Sequence, residues 1–382
     1  MEDLPSNIMV DILSRLPVKT IIHCRCVCKN WRNIVSESHF ANIHLSRSPA
    51  GLMIWHESEQ LMTGYCKPGV LKWVEISDDD HRLLHDPVMS LDLSLAPVFQ
   101  NVQIQQVGSV NGLLCLWKFG PEGDNTFICN PITREYMILP RQKYYREGYA
   151  IIVYGFGVGL QTKEYKVIRT FQGDIPPNQY GTSRPSLLEA EVYTLGTGQW
   201  RSLGHVPYWL SGWDGPFLYG KAHWIVVDQD APEKALYFRF RQGDIQLFPS
   251  PPSEAIEDSS IHFQSLAVLN GCLSRSDTYD SQFMIWVMKE YGIKKSWHKE
   301  VVIKQSMSPD LDWLMWEPMY LVEGLNDGSI LMVYYEDWLL KYCPQKKTVE
   351  KVDIFDRYFK GMAYRPSFLK LHSFESERVH FF

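Results

Sequence analysis

From residue 51 onward, turn dipeptides recur at regular spacing between short apolar runs, and this recurrence limits the fold more than any other feature of the 382-residue chain. Asn111-Gly112, Gly220, Asn270-Gly271 and Asp327-Gly328 each open such a run, their glycines standing 108, 51 and 57 positions apart. The long gap holds two units, and its middle member falls in Gly155-Phe156-Gly157-Val158-Gly159, which reads as a hairpin turn. Asn-Gly and Asp-Gly make tight hairpins because both residues tolerate positive φ. A second half follows in each unit: strand, turn, strand. Residues 127–130 turn at Pro131 into 135–139, 190–195 turn at 196–198 into 200–203, 283–288 turn near Gly292 into 297–301, and 339–342 turn at Pro344 into 349–352. Aromatic-rich runs such as Ala235-Leu236-Tyr237-Phe238-Arg239-Phe240 favour strands over helices.

Units of about fifty residues with four short strands each are the pattern of β-propeller blades. They start near 51, 105, 150, 216, 263 and 319, which makes six blades, or seven if the unplaced stretch 76–104 holds another. No Gly-Gly pair marks a kelch array, and Trp213-Asp214 is the sole Trp-Asp dipeptide. A ring of blades exposes unpaired edges unless the two chain ends meet. The apolar segment 361–371 is therefore expected to pair with 51–56, its Pro366 placed at an edge or bulge. Residues 373–382 are left as a tail.

Residues 4–40 read differently. Ser6 can cap a helix carrying Ile8, Ile12, Leu13 and Leu16 on one face, which Pro17 ends. A second short helix carries Ile21, Ile22 and Cys24, and a third carries Val27, Trp31, Ile34 and Val35. Three helices in about forty residues cannot bury this apolar surface among themselves, so part of it should meet a partner.

Leu4-Pro5-x-x-Ile8-x-x-x-Ile12-Leu13-x-x-Leu16-Pro17-Val18 with Arg25-Cys26-Val27-Cys28-Lys29-Asn30-Trp31 resembles the F-box, in its plant form above all. The resemblance implies docking on a Skp-type adaptor, and through it on a cullin, by Leu4, Pro5, Ile8, Ile12, Leu13, Leu16, Pro17, Val18, Val27, Cys28 and Trp31. The competing role is internal packing, expected first of Ile12, Val27 and Trp31. Gly108-Ser109-Val110-Asn111-Gly112-Leu113-Leu114-Cys115, Cys129-Asn130-Pro131-Ile132-Thr133-Arg134-Glu135, Glu164-Tyr165-Lys166-Val167 and Gly220-x-Ala222-His223-Trp224 resemble the plant F-box-associated domain, over roughly 105–371. Together the resemblances imply a mainly β chain: a three-helix F-box at 1–48, a target-binding propeller at 50–372, and a tail at 373–382. The function implied is that of a non-catalytic substrate receptor in a Skp–cullin–F-box ubiquitin ligase. A glycan-binding F-box receptor and an adaptor-bound scaffold outside any ligase are the rival readings.

The formal net charge is −6, and residues 1–50 hold six basic against four acidic residues. Without a basic stripe, nucleic acid is not an expected partner. No uninterrupted apolar stretch has the length of a membrane span, so no membrane partner is expected either. The first residues lack the blocks of a signal peptide, and eight scattered cysteines suit a reducing cytoplasmic or nuclear setting. Cys24-x-Cys26-x-Cys28 cannot converge on zinc if it is helical, Gly155-x-Gly157-x-Gly159 lacks the dinucleotide pattern, and Asp78-Asp79-Asp80-His81 reads as a solvated loop. No metal, cofactor or catalytic set is expected. For target contact the candidates are Tyr208, Trp209 and Trp213 in the Gly- and Pro-rich segment 207–216, then Trp313 and Trp316, with packing between blades as the competing role.

Overall fold

Pro5 (φ −55°) and Pro17 (φ −57°) each stand directly before a helix, where a fixed φ is already suitable and the missing N–H costs nothing. The Pro5 carbonyl accepts from Ile8 N and Met9 N at 3.0 and 3.1 Å, opening α1 (Ser6–Leu13). Pro17 O accepts from Ile21 N at 3.0 Å and opens α2 (Val18–Cys24). Ser6 is thus the first residue of α1 and not its cap. In α3 (Lys29–Val35) the cap is Cys28, whose Sγ accepts from Trp31 N at 3.4 Å. A fourth helix, α4 (Ser38–Arg47), corrects the expected count of three. Its inward stripe is sparse, only Phe40, Ala41 and His44, which hid it from a reading of apolar spacing.

The computed structural model describes residues 4–48, 51–56, 69–76, 88–100, 103–119, 125–141, 151–172, 189–206, 208–212, 214–226, 234–252, 261–279, 282–304, 319–334, 338–352, 359–374 and 377–382. The chain divides into two compact units, Met1–Arg141 with Lys360–Phe382, and Gln142–Phe359. After the helices the described residues form six sheets of four or five strands, the blades of a six-bladed propeller. In the first unit β1 (Gly51–His56), β2 (Val70–Glu75) and β3 (Met89–Asp92) begin one sheet. The second sheet holds β4 (Gln103–Val110), β5 (Leu113–Phe119), β6 (Asn125–Asn130) and β7 (Glu135–Ile138).

The second unit opens with β8 (Ile151–Val158), β9 (Tyr165–Gln172), β10 (Glu189–Thr194) and β11 (Trp200–His205). Short pieces β12 (Leu210–Ser211), β13 (Asp214–Gly215) and β14 (Phe217–Leu218) lead to β15 (Lys221–Val226), β16 (Lys234–Arg239) and β17 (Asp244–Pro249). The fifth sheet is β18 (Ile261–Leu269), β19 (Cys272–Tyr279), β20 (Gln282–Met288) and β21 (Trp297–Lys304). The sixth is β22 (Met319–Gly324), β23 (Ile330–Tyr334), β24 (Trp338–Cys343) and β25 (Thr348–Lys351). Then β26 (Phe359–Tyr364) returns to the first sheet, in the order β26-β1-β2-β3, so strands from both ends of the propeller share one blade as expected. The last residues are no loose tail: β27 (Val379–Phe381) pairs with β7, and the Phe382 ring stacks on Phe99 at 5.5 Å.

The turn readings hold at Asn111-Gly112 (φ 50° and 79°) and Asn270-Gly271 (φ 48° and 75°). At Gly155 and Gly157 they fail, because both residues lie inside β8. A Cβ on Gly155 would come within 2.6 Å of the Trp224 ring, and one on Gly157 within 2.3 Å of Phe240. Those glycines make room for aromatic side chains and do not bend the chain. The unplaced stretch 76–104 supplies β3 and two single 3-10 turns, Leu93–Leu95 and Pro97–Phe99, and adds no seventh blade among the described residues.

In the first unit one hydrophobic core joins helices to blades. Met9, Val10, Leu13, Val18, Ile21, Ile34, Val35 and Phe40 belong to the same buried cluster as Trp55, Trp73, Leu114, Phe127 and Phe368. The segment after β26 clasps it. The Phe368 ring meets Phe40 and His44 at 5.8 and 5.0 Å, and Ser48 Oγ donates to Pro366 O at 3.1 Å. Asn130 Nδ2 donates to Ser367 O and Leu369 O at 3.0 and 2.7 Å, and Tyr364 Oη to Gly112 O at 3.0 Å.

Candidate functional site: an outward apolar face on the helices

Because one side of α1 is spent on the core through Met9, Val10 and Leu13, its other side faces out. Ile8 and Ile12, four residues apart on one helical face, are 43% and 45% exposed, and Leu4 just before the helix is 41% exposed. Val27, in the turn between α2 and α3, is 65% exposed. Pro5 and Pro17 are exposed as well, whereas Leu16, Cys28 and Trp31 are half-buried at the margin. Leucine, isoleucine and valine side chains exposed in this number, on helices whose inner side is already packed, are apolar surface that water wets at a cost.

Two of the eleven expected contact residues fall inside. Leu13 and Val18 are almost fully buried in the helix–blade core, so they are packing residues. Ile12 and Val27, expected as contact residues with packing as the competing role, face solvent. The reason is that α1 is apolar on two sides: the core takes Met9 and Val10, which the spacing argument passed over, and Leu13, which it placed on one face with Ile8 and Ile12. Asp11 marks the boundary: Arg15 and Arg47 bond its carboxylate at 3.1 and 2.8 Å and hold its pKa below the ordinary value. Through Arg47, which also donates to Ser14 Oγ at 2.5 Å, this pairing ties α4 to α1.

The cysteines scatter for a reason other than helical geometry. Cys24 is in the core, where burial raises its pKa, Cys26 is exposed in the turn beyond α2, and Cys28 caps α3.

In the second unit the segment expected to be an aromatic contact loop is ladder. Strands β12 and β14 pair with β15, and β13 runs parallel beside β8, so the segment stitches the third sheet to the fourth. Buried Gln172 imitates a neighbouring strand: Leu210 N donates to its Oε1 at 2.7 Å, and its Nε2 donates to Leu210 O at 3.0 Å. Trp209 is only 5% exposed, in a core with Val153, Ile168, Val192, Trp224 and Phe238. It is therefore a packing residue and no surface anchor, and Tyr208 lies half-buried against the same core. Trp213, Trp313 and Trp316 lie outside the described residues, as do 78–81.

Among known families, residues 1–42 match the F-box domain and residues 76–371 match the F-box associated beta propeller domain. The chain belongs to the plant F-box proteins that carry this propeller. It is 28% identical over 353 residues to the F-box protein At3g07870 of Arabidopsis thaliana, covering 87% of this chain and 80% of that one. It is similar also to the F-box protein CPR1 of that plant, at 25% identity over 81% of this chain and 75% of the other. The F-box/kelch-repeat protein At3g23880, again from Arabidopsis thaliana, is 24% identical over 89% and 87% of the two chains. F-box proteins with a propeller belong to the receptor class of Skp–cullin–F-box ligases, in which the F-box implies a Skp-type adaptor. The F-box of this chain is the four-helix element whose outward face is described above.

Proposed function

We propose that this chain is the substrate receptor of a Skp–cullin–F-box ubiquitin ligase. The adaptor seats on Leu4, Pro5, Ile8, Ile12, Pro17 and Val27, with Leu16, Cys28 and Trp31 at the edge, and the propeller holds a target protein. The observation that carries the reading is the outward row of Leu4, Ile8 and Ile12 on a helix whose inner side is already packed. Burying one such side chain contributes about 1.5–3 kcal/mol, so a few of them support a stable contact. The core shared by the helices and the first two blades supports the receptor role too, since it anchors the adaptor-binding helices directly on propeller strands. The chain supplies proximity, and ubiquitin transfer takes place on other subunits.

The test is co-elution of the purified chain with a Skp-type adaptor and a cullin. The parent chain should bring both into one peak. Val27→Asp should lose them while melting as the parent does, because Val27 touches solvent and not core. A Val27→Asp chain that still co-elutes with the adaptor removes this turn from the contact.

A further inference from the structure

The turns between the first two strands of the blades are not equivalent. Where the second and fifth sheets have Asn111-Gly112 and Asn270-Gly271, the fourth has Tyr219-Gly220, with Tyr219 at φ 49°. Asparagine visits this left-handed region readily, and a bulky aromatic residue does not. Tyr219 is 56% exposed, so burial does not offset the strain. A strained side chain kept at the surface points to a role there.

Its surroundings are built. The Tyr219 ring meets Tyr291 edge-on at 5.1 Å, and its hydroxyl donates to Gly271 O at 3.4 Å. Tyr291 is itself fixed from below. His223 Nδ1 lies 3.2 Å from Pro216 O, which can only accept, so the imidazole proton sits there and Nε2 accepts from Tyr291 Oη at 2.6 Å. Lys221 Nζ stands over the Tyr237 and Tyr291 rings at 4.7 and 4.5 Å. On the other side Leu160, 51% exposed, is the side chain nearest to Gly220. Leu160, Tyr219 and Tyr291 thus make an apolar strip along the turn edge of the third to fifth sheets.

The rim is basic, although the chain as a whole is acidic. Lys163 shares a turn with Leu160, and Lys294 and Lys295 follow Tyr291. Arg241 lies in the turn after β16, which Phe240 N joins to Gly220 O at 3.1 Å. Of the acidic residues in these turns, Glu164 is paired with Lys166 at 2.9 Å, and Glu290 is the other.

We propose that this strip docks an acidic segment of another protein that carries a bulky apolar side chain. The apolar group lies on Leu160 and Tyr219, and the carboxylates face the basic rim. The inference rests on the propeller being the target-holding part, and names the chemistry it takes.

The test uses the full chain and short synthetic peptides with one Leu or Phe among Asp and Glu, beside matched peptides with Asn and Gln. The acidic set should bind and the amide set should not. Tyr219→Asn, which installs the residue of the sister turns, should melt no lower than the parent and bind the acidic set at least about tenfold more weakly. The pair Lys294→Glu and Lys295→Glu should weaken the acidic set alone. Equal binding of both sets, or of none, overturns the proposal, as does equal affinity of the parent and the Tyr219→Asn chain for the acidic set. Concentration-dependent self-association that Tyr219→Asn abolishes would instead assign the strip to a second copy of the chain. Adaptor co-elution measured on the same variants should not change, so a failure here leaves the F-box reading standing.

Discussion

His223 and His44 show how far burial sets the chemistry of single residues in this chain, joined at His223 by the nearby charge of Lys221. Both are almost fully buried, and desolvation brings each pKa down from 6.5 to about 4. Above pH 6.5 the imidazoles are neutral whether the chain is folded or not, and stability is complete. Between pH 6.5 and 4 the unfolded chain takes up protons that the folded chain refuses, so stability falls as pH falls. For His223 the loss across that window is about 3 kcal/mol. Thermal melts from pH 7.5 to 4.5 should therefore show a descending acid limb. His44→Gln, which cannot take a proton, should flatten part of it. At Trp209 the prediction is steric: Trp209→Ala should cost about 3–5 kcal/mol, while Trp209→Phe keeps most of the packing. A Trp209→Ala chain that melts like the parent would return this residue to the surface.

At the scale of elements, the strands that close the fold come from its last twenty-odd residues. Deleting 361–382 removes most of β26, the clasp around Phe368, and β27, and should leave an unfolded or aggregating chain. Deleting only 373–382 should also be felt, by about 1–3 kcal/mol, because β27 leaves the β7 edge and Phe382 leaves Phe99 and Tyr136. Melting temperatures of the two truncations against the parent give the ranking directly. Much of this layer could be read from the sequence. Asn111-Gly112 and Asn270-Gly271 announce their hairpins because glycine and asparagine are what such turns need. The pairing of the two chain ends follows from the unpaired edges of an open ring. What could not be read has identifiable causes. Glycines that clear space for Trp224 and Phe240 look in sequence like glycines that bend the chain. A helix such as α4 with three inward residues leaves too thin a stripe. The segment 207–216 looks like a loop because its ladder consists of two-residue strands tied partly by the Gln172 side chain.

For the whole molecule, the central feature is a helical F-box whose core is not separate from that of the first two blades. Phe40 and His44 rest on Phe368, and the helix interior is continuous with Trp55, Trp73 and Phe127 of the first two blades. Residues 1–48 alone should therefore show little stable helix by circular dichroism, and Phe368→Ala should loosen the helices as well as the clasp. Deleting 1–48 is for the same reason an unclean way to remove the adaptor site, since it strips one wall of a blade core. The outward face could be read from the sequence only in part. The F-box pattern marks which residues matter, but Leu13 and Ile12 are neighbours of the same type, and only the packing shows that one is core and the other surface. The most direct measurement is the affinity of a Skp-type adaptor for the parent chain and for Ile8→Asp with Ile12→Asp, with melting curves of both. Two exposed contacts of about 1.5–3 kcal/mol each predict a loss of more than about a hundredfold, with an unchanged melting temperature. An affinity equal to the parent's, in a double variant that melts like it, would contradict the assignment of this face to the adaptor.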